Sequence, residues 1–144
     1  MRTEWHNAPA FIAEKSELLE GWLYDIAEKE GFKIKRLSYK FCSNSEIQDY
    51  NERYLKHNYP TDIITFDYGK RAGNIDAECL IGKEVLEDNA RESGLLLMDE
   101  YCRVLVHGLL HCLGFDDQTP EQKRAMRKEE EKALILRPKI FADA

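Results

Sequence analysis

Residues 98–113 are apolar at most positions and span about four helical turns. A helix of that kind has no face to give to water, so the rest of the chain must wrap around it. It nevertheless holds two histidines, His107 and His111, four residues apart. On a helix that spacing puts both imidazoles on one face about one turn apart, where they can grip one ion. Gly114 follows at the point where helices commonly end on a left-handed residue, a conformation glycine adopts cheaply. The chain can then fold back and bring Asp117 to the same ion, with Asp116 as a neighbouring loop residue. Two histidines on an apolar helix can also be satisfied core groups, and aspartates can be helix caps. Thr119 already offers the next cap, so at least one aspartate is spare.

The remaining segments supply the wrapping. Residues 11–30 carry Phe11, Leu18, Leu19, Trp22, Leu23 and Ile26 at helical spacing, and Gly31 is placed to end that helix. KIKRLSYKFCS alternates apolar and charged residues with a slip near Arg36, the pattern of a strand with one charged face. Ser43 and Glu46 fit a capping box opening a short helix to about Tyr54. DIITFDY and ECLIG are rich in β-branched and other apolar residues and read as strands. Residues 83–93 read as a helix stopped by Gly94, and Thr119, Pro120 and Gln122 open the last helix. The expected architecture is α+β: a small mixed β-sheet packed with about five helices, the histidine-bearing helix buried centrally, in one domain over residues 1–144.

With 43% hydrophobic and 33% charged residues of both signs, the chain is globular rather than disordered. No apolar run approaches a membrane span, MRTEWHNAPAF lacks a signal peptide's apolar core, and Cys42, Cys79, Cys102 and Cys112 form no C-x-x-C. Reduced thiols in the cytoplasm are the expectation, with core packing as their role. The net charge of −6 excludes global attraction to nucleic acid, so any RNA contact must use a local basic patch. Lys123, Arg124, Arg127 and Lys128 are followed at once by glutamates at 129–131 and read as ordinary helix surface.

Two histidines four apart, a glycine, and a third ligand six residues after the second histidine is the frame of the metzincin metalloproteases. Those enzymes need a glutamate beside the first histidine as general base, and that position is Gly108. HGLLHCLGFDD instead resembles the H-G-x-L-H-L-x-G-Y-D-H motif of the YbeY family. YNERYLKHNYPTDIITFDY is similar to that family's L-N-x-x-Y-R-x-x-D-x-P-T-D-V-L-S-F block, with Asn51, Tyr54, Pro60, Thr61, Asp62 and Phe66 in register. AECLIG sits where the family has G-D-I-x-I-S. The blocks cover residues 50–117 in the family's order. Three positions depart: Asp117 replaces the third histidine, Leu55 the arginine after the tyrosine, and Glu78 the aspartate of G-D-I.

The resemblance implies a single-strand-specific, metal-dependent endoribonuclease of rRNA maturation and ribosome quality control. Its metal ligands are then His107, His111 and Asp117, with a fourth position open for water. Two histidines and a carboxylate suit zinc, though nickel or iron can occupy such a set. Glu78 and Asp116 are the catalytic carboxylates the sequence offers, and Lys33, Lys35, Arg36 and Lys40 on an edge-like first strand are the expected phosphate track. Arg53, Lys56 and His57 are the nearby residues able to replace the charge of the arginine absent at Leu55. The implied partners are rRNA and the ribosome, with a ribosomal protein or GTPase, and no membrane. The alternatives are a non-catalytic ribosome-binding module with a structural metal and, third, a protease-like zinc hydrolase.

Overall fold

Alternation makes residues 33–42 a strand, and in the computed structural model, which describes residues 3–69 and 73–138, it is β2 (Lys33–Cys42). Leu37, Tyr39 and Phe41 share its core face and are almost wholly buried. Ile34 joins them although it lies three residues from Leu37, because the pairing with β4 (Asn74–Gly82) slips between Ile34 and Arg36. Lys35 is the extra residue of that bulge, and it resets the alternation.

The four strands run in the order β1-β2-β4-β3. β1 (Thr3–His6) lies parallel to β2, β2 parallel to β4, and β3 (Ile63–Asp67) antiparallel to β4. The basic strand β2 is therefore interior, which corrects its expected place as an edge-like first strand. β1 has four residues, too few for a period to stand out in the sequence. It is fixed by Trp5, which stacks on Tyr39 with centroids 5.2 Å apart and donates to Glu20 at 2.8 Å.

One helix expected over residues 11–30 is two, α1 (Ala10–Ala13) and α2 (Ser16–Lys29). Lys15, at φ −110° and ψ 15°, leaves helical dihedrals between them, and Phe11 packs edge-on against Tyr101. The described residues thus hold six helices against about five expected, the additional one being a single turn. α3 (Asn44–Leu55) opens with the expected box between Ser43 and Glu46. α4 (Lys83–Ser93) stops at Gly94 in the left-handed region, and α6 (Pro120–Ile135) opens with the box between Thr119 and Gln122. None of the helices is long and apolar enough to cross a membrane.

α5 (Leu97–Cys112) is the centre of the packing. Tyr101, Cys102, Val104, Leu105, Val106 and Leu109 have 1% exposure or less, against β2, β4, α2 and α6. Tyr39 donates to the Leu105 carbonyl and Trp22 to the Ala133 carbonyl, each at 2.8 Å, so both buried donors are satisfied. The four cysteines are free thiols; Cys79 is buried between sheet and α5, and burial pushes it up to about 12. On the opposite sheet face α3 covers only one end, where Ile47 packs on Cys42, Ile64 and Leu80. Among the described residues, the rest of that face forms an open groove.

α5 approaches the sheet through Gly108, where a Cβ would stand 2.9 Å from Cys79 Sγ and 3.0 Å from Ile63 Cδ1. Gly108→Ala should gain about 1 kcal/mol of helix propensity. Overpacking of a buried contact costs about 1–3 kcal/mol and wins, for a net loss of about 1 kcal/mol. Gly21, in α2 with no atom within 4 Å of its Cβ position, makes the control: Gly21→Ala should stabilise by about 0.5–1 kcal/mol. Urea unfolding of both variants checks the pair, and shifts of the same sign would contradict this packing.

Candidate metal centre

The two histidines stand on the last turns of α5, their rings 4.8 Å apart and nearly perpendicular. The helix ends as its glycine requires. Gly114, at φ +106°, donates to the His111 carbonyl at 3.1 Å, and Phe115 donates to Leu110 at 3.0 Å. These are the paired bonds of a Schellman motif, which satisfies two end carbonyls and reverses the chain. Phe115 packs back against the core, and the reversal delivers Asp117 to the histidines.

Asp117 Oδ2 lies 3.4 Å from His107 Nε2, and Oδ1 lies 3.5 Å from His111 Nε2. These two contacts use different carboxylate oxygens; taking one ligand atom from each residue, the three lie within 4.8 Å of one another, a grouping that could hold one ion. The ring proton of His107 is also accounted for. Its Nδ1 donates to Glu130 Oε2 at 2.6 Å, which directs the Nε2 lone pair toward Asp117 and His111. Asp116 sits outside this arrangement: it is exposed, and its Oδ1 accepts from the backbone N–H of Asp117 at 3.2 Å.

Lys123, Arg124, Arg127 and Lys128 are exposed, as expected of helix surface, but Glu130 beside them is 2% exposed. It shares the inner stripe of α6 with Met126 and Ala133, at spacings of four and three; that apolar neighbourhood was the available signal. Burial would raise its carboxyl, but the hydrogen bond with His107, then the charge and hydrogen bond of Arg103, hold it below the usual carboxylate range. Arg103 contacts Glu130 at 3.2 Å and clasps buried Glu100 at 2.6 and 3.2 Å. Glu100, Arg103 and His107 follow at intervals of three and four along α5, so the buried helix carries one internal polar stripe.

His107, His111 and Asp117 open on a cleft of about 660 Å³ walled by β3 and the segment after α3. Leu55, His57, Asp62, Thr65 and Asp67 line it. Buried Asn51 positions this wall by donating to the Tyr59 carbonyl at 2.8 Å. Of the three residues expected to replace the absent arginine, His57 lines the cleft, its Nδ1 3.1 Å from the Tyr59 hydroxyl. Arg53 instead pairs with Asp49 at 2.9 Å, and Lys56 caps α3. Glu78 is not brought to the ligands. It pairs with Phe66 across the strands on the face opposite Cys79 and Gly108, and binds Arg36 at 3.2 Å. Arg36 also holds Asp76 at 3.1 Å, which leaves it neutralised as part of a phosphate track. Lys33 and Lys35 are exposed on β2, and Lys40 reaches the Tyr50 hydroxyl at 3.3 Å.

A family model described as Endoribonuclease YbeY matches residues 4–136. The chain belongs to the YbeY family. It is 42% identical over 116 residues to the Endoribonuclease YbeY of Cytophaga hutchinsonii, covering 81% of each chain. It is 36% identical over 124 residues to that of Bacteroides thetaiotaomicron, covering 86% of this chain and 89% of the relative. A Thermotoga maritima protein solved in solution shares the fold, with a TM-score of 0.66 and 24% identity over 92% of this chain and 87% of that one. The family's metal motif thus coincides with the cluster in the structure, and the cluster accommodates Asp117 where the motif has histidine.

Because Glu130 fixes the His107 ring, Glu130→Gln should weaken zinc binding by about tenfold or more, measured by competition with a chromophoric chelator on the folded variant. Affinity equal to the parent's would show that the 2.6 Å contact does not prepare the ligand.

Proposed function

We propose that the chain hydrolyses single-stranded RNA, with rRNA as its substrate, using one zinc ion held by His107, His111 and Asp117. The observation that carries this reading is the grouping of His107, His111 and Asp117, the carboxylate 3.4 and 3.5 Å from the two imidazoles, at the mouth of an open cleft. Membership of a family whose relatives are named endoribonucleases supplies the reaction class. Two imidazoles and a carboxylate suit zinc and leave one coordination position free.

Bound in such a site, zinc acidifies water toward neutral pH and polarises a phosphoryl oxygen. The chain's own groups do the rest. Glu130 and Arg103 keep His107 in one tautomer and orientation. Asp117 contributes a negative charge, which leaves the site less electrophilic than three neutral histidines would. The cleft's other carboxylates, Asp62 and Asp67, replace Glu78 and Asp116 as the groups able to take a proton. Asp62 Oδ1 is occupied by the Ile63 N–H at 2.8 Å, and Oδ2 lies 4.0 Å from Arg103. His57 stands where the family's arginine is absent and can donate through Nε2 to a phosphate oxygen.

With a net charge of −6, the chain is not drawn to RNA at long range. A ribosomal protein or GTPase that delivers the rRNA in the cytoplasm suits that balance. A purely structural metal suits the geometry less well, since the Schellman bonds and the box at Thr119 already hold helix, loop and next helix together. A protease-like reaction lacks its base, and the close approach of Gly108 to Cys79 leaves no room for one.

Zinc-loaded protein should cleave a fluorogenic single-stranded RNA, and both chelation and Asp117→Ala should cut the rate at least about 100-fold while the far-UV circular dichroism is kept. Cleavage that persists in chelator, or in the variant, would contradict the proposal.

A further inference from the structure

The open sheet face carries a second groove, of about 870 Å³, that the cleavage chemistry does not use. Its walls are aromatic: Tyr50 and Tyr54 from α3, Phe66 from β3, and Tyr68 just beyond it. Tyr54 is braced by two neighbouring rings. It stacks with Tyr50, centroids 6.2 Å apart at 18°, and meets Phe66 edge-on at 5.3 Å. Tyr54 and Tyr68 are nevertheless 55% and 50% exposed. A braced aromatic ring half in water, as Tyr54 is, offers a surface for another flat group, with exposed Tyr68 beside it in the same groove.

The groove also has polar chemistry at its floor. Lys40 Nζ sits 5.5 Å from the centroid of the Tyr50 ring, and Ser38 and Glu78 face the same space. An ammonium for a phosphate, a hydroxyl and a carboxylate for the edges of a base, and aromatic faces for its plane make the recognition set of an unpaired nucleotide. Its volume falls within the range of about 300–1,000 Å³ that holds small ligands, enough for a nucleotide.

Position ties the groove to the metal cleft. Phe66 lines both, and the consecutive residues Tyr54 and Leu55 line one each, so the two sites meet along β3 and the end of α3. We infer that this groove binds a nucleotide of a single-stranded RNA substrate next to the one cleaved, its base stacked on Tyr54 and its phosphate held by Lys40. The inference rests on the RNA-hydrolase reading for the identity of the strand, but the binding it describes needs no metal. It also accounts for selection of single strands: a base in a duplex has no free face to offer Tyr54.

The test is binding of a labelled single-stranded RNA decamer, followed by fluorescence anisotropy in chelator so that no cleavage occurs. The parent should bind the decamer, and Tyr54→Ala should bind it about tenfold more weakly, since stacking on one aromatic side chain contributes on that scale. Tyr54→Phe, which keeps the ring, should stay within about twofold of the parent. Blunt duplex RNA should bind more weakly than the single strand and show no difference between the parent and Tyr54→Ala. Equal binding of the single strand by parent and Tyr54→Ala, with both folded, would overturn the inference and leave the groove to a protein partner. A chain that fails to cleave with zinc yet shows the Tyr54 dependence would refute the hydrolase and keep the groove.

Discussion

A 2.6 Å hydrogen bond from His107 to Glu130 joins the helix at the centre of the fold to the last helix of the chain, and the candidate site depends on it. Removing one partner of a buried ion pair costs about 3–5 kcal/mol, so a polar stripe inside an apolar core must be satisfied within the protein. Here the stripe is Glu100, Arg103 and His107, and Glu130 closes it from α6. Each charged member has a partner within 3.2 Å. The same closure that makes burial tolerable also fixes the tautomer of His107 and points its free nitrogen at Asp117. Stability and ligand preparation are one arrangement.

Much of this was legible in the residues because the signals were local. The capping boxes at Ser43 and Thr119, the stops at Gly31, Gly94 and Gly114, and the slip near Arg36 are each written within a few residues, and each has its counterpart in the structure. The histidine spacing and the downstream aspartate likewise sit in one short stretch. What could not be read locally was pairing across the fold. β1 has no period of its own and takes its place from β2. Glu130 looks like surface within a run of three glutamates, and only the position of α6 against α5 shows it to be buried. Glu78 is a carboxylate in the right block of sequence but on the face of β4 turned away from α5. The cleft's own carboxylates, Asp62 and Asp67, belong to a strand whose approach to the histidines no sequence period reveals.

The departures from the family motif become a consistent set once placed. Asp117 reaches both histidines, so a carboxylate stands where the motif has an imidazole and changes the charge of the cluster. Leu55 lines the cleft at the position where the motif has an arginine, and His57, held against Tyr59, lines the same cleft. Both changes lower the positive potential that a phosphodiester would meet. On the proposed reading, recognition leans on stacking and local contacts more than on net charge, in keeping with an acidic chain and with exposed tyrosines beside the cleft.

The central claim is that one ion is held by His107, His111 and Asp117, and X-ray absorption at the zinc edge of the loaded protein tests it most directly. The account predicts two imidazole nitrogens and oxygen donors, all at about 2.0–2.2 Å, and no sulfur. A sulfur shell at about 2.3 Å would instead put Cys112 or another thiol on the metal, and an absence of imidazole scattering would remove the histidines. Either result would contradict the site described.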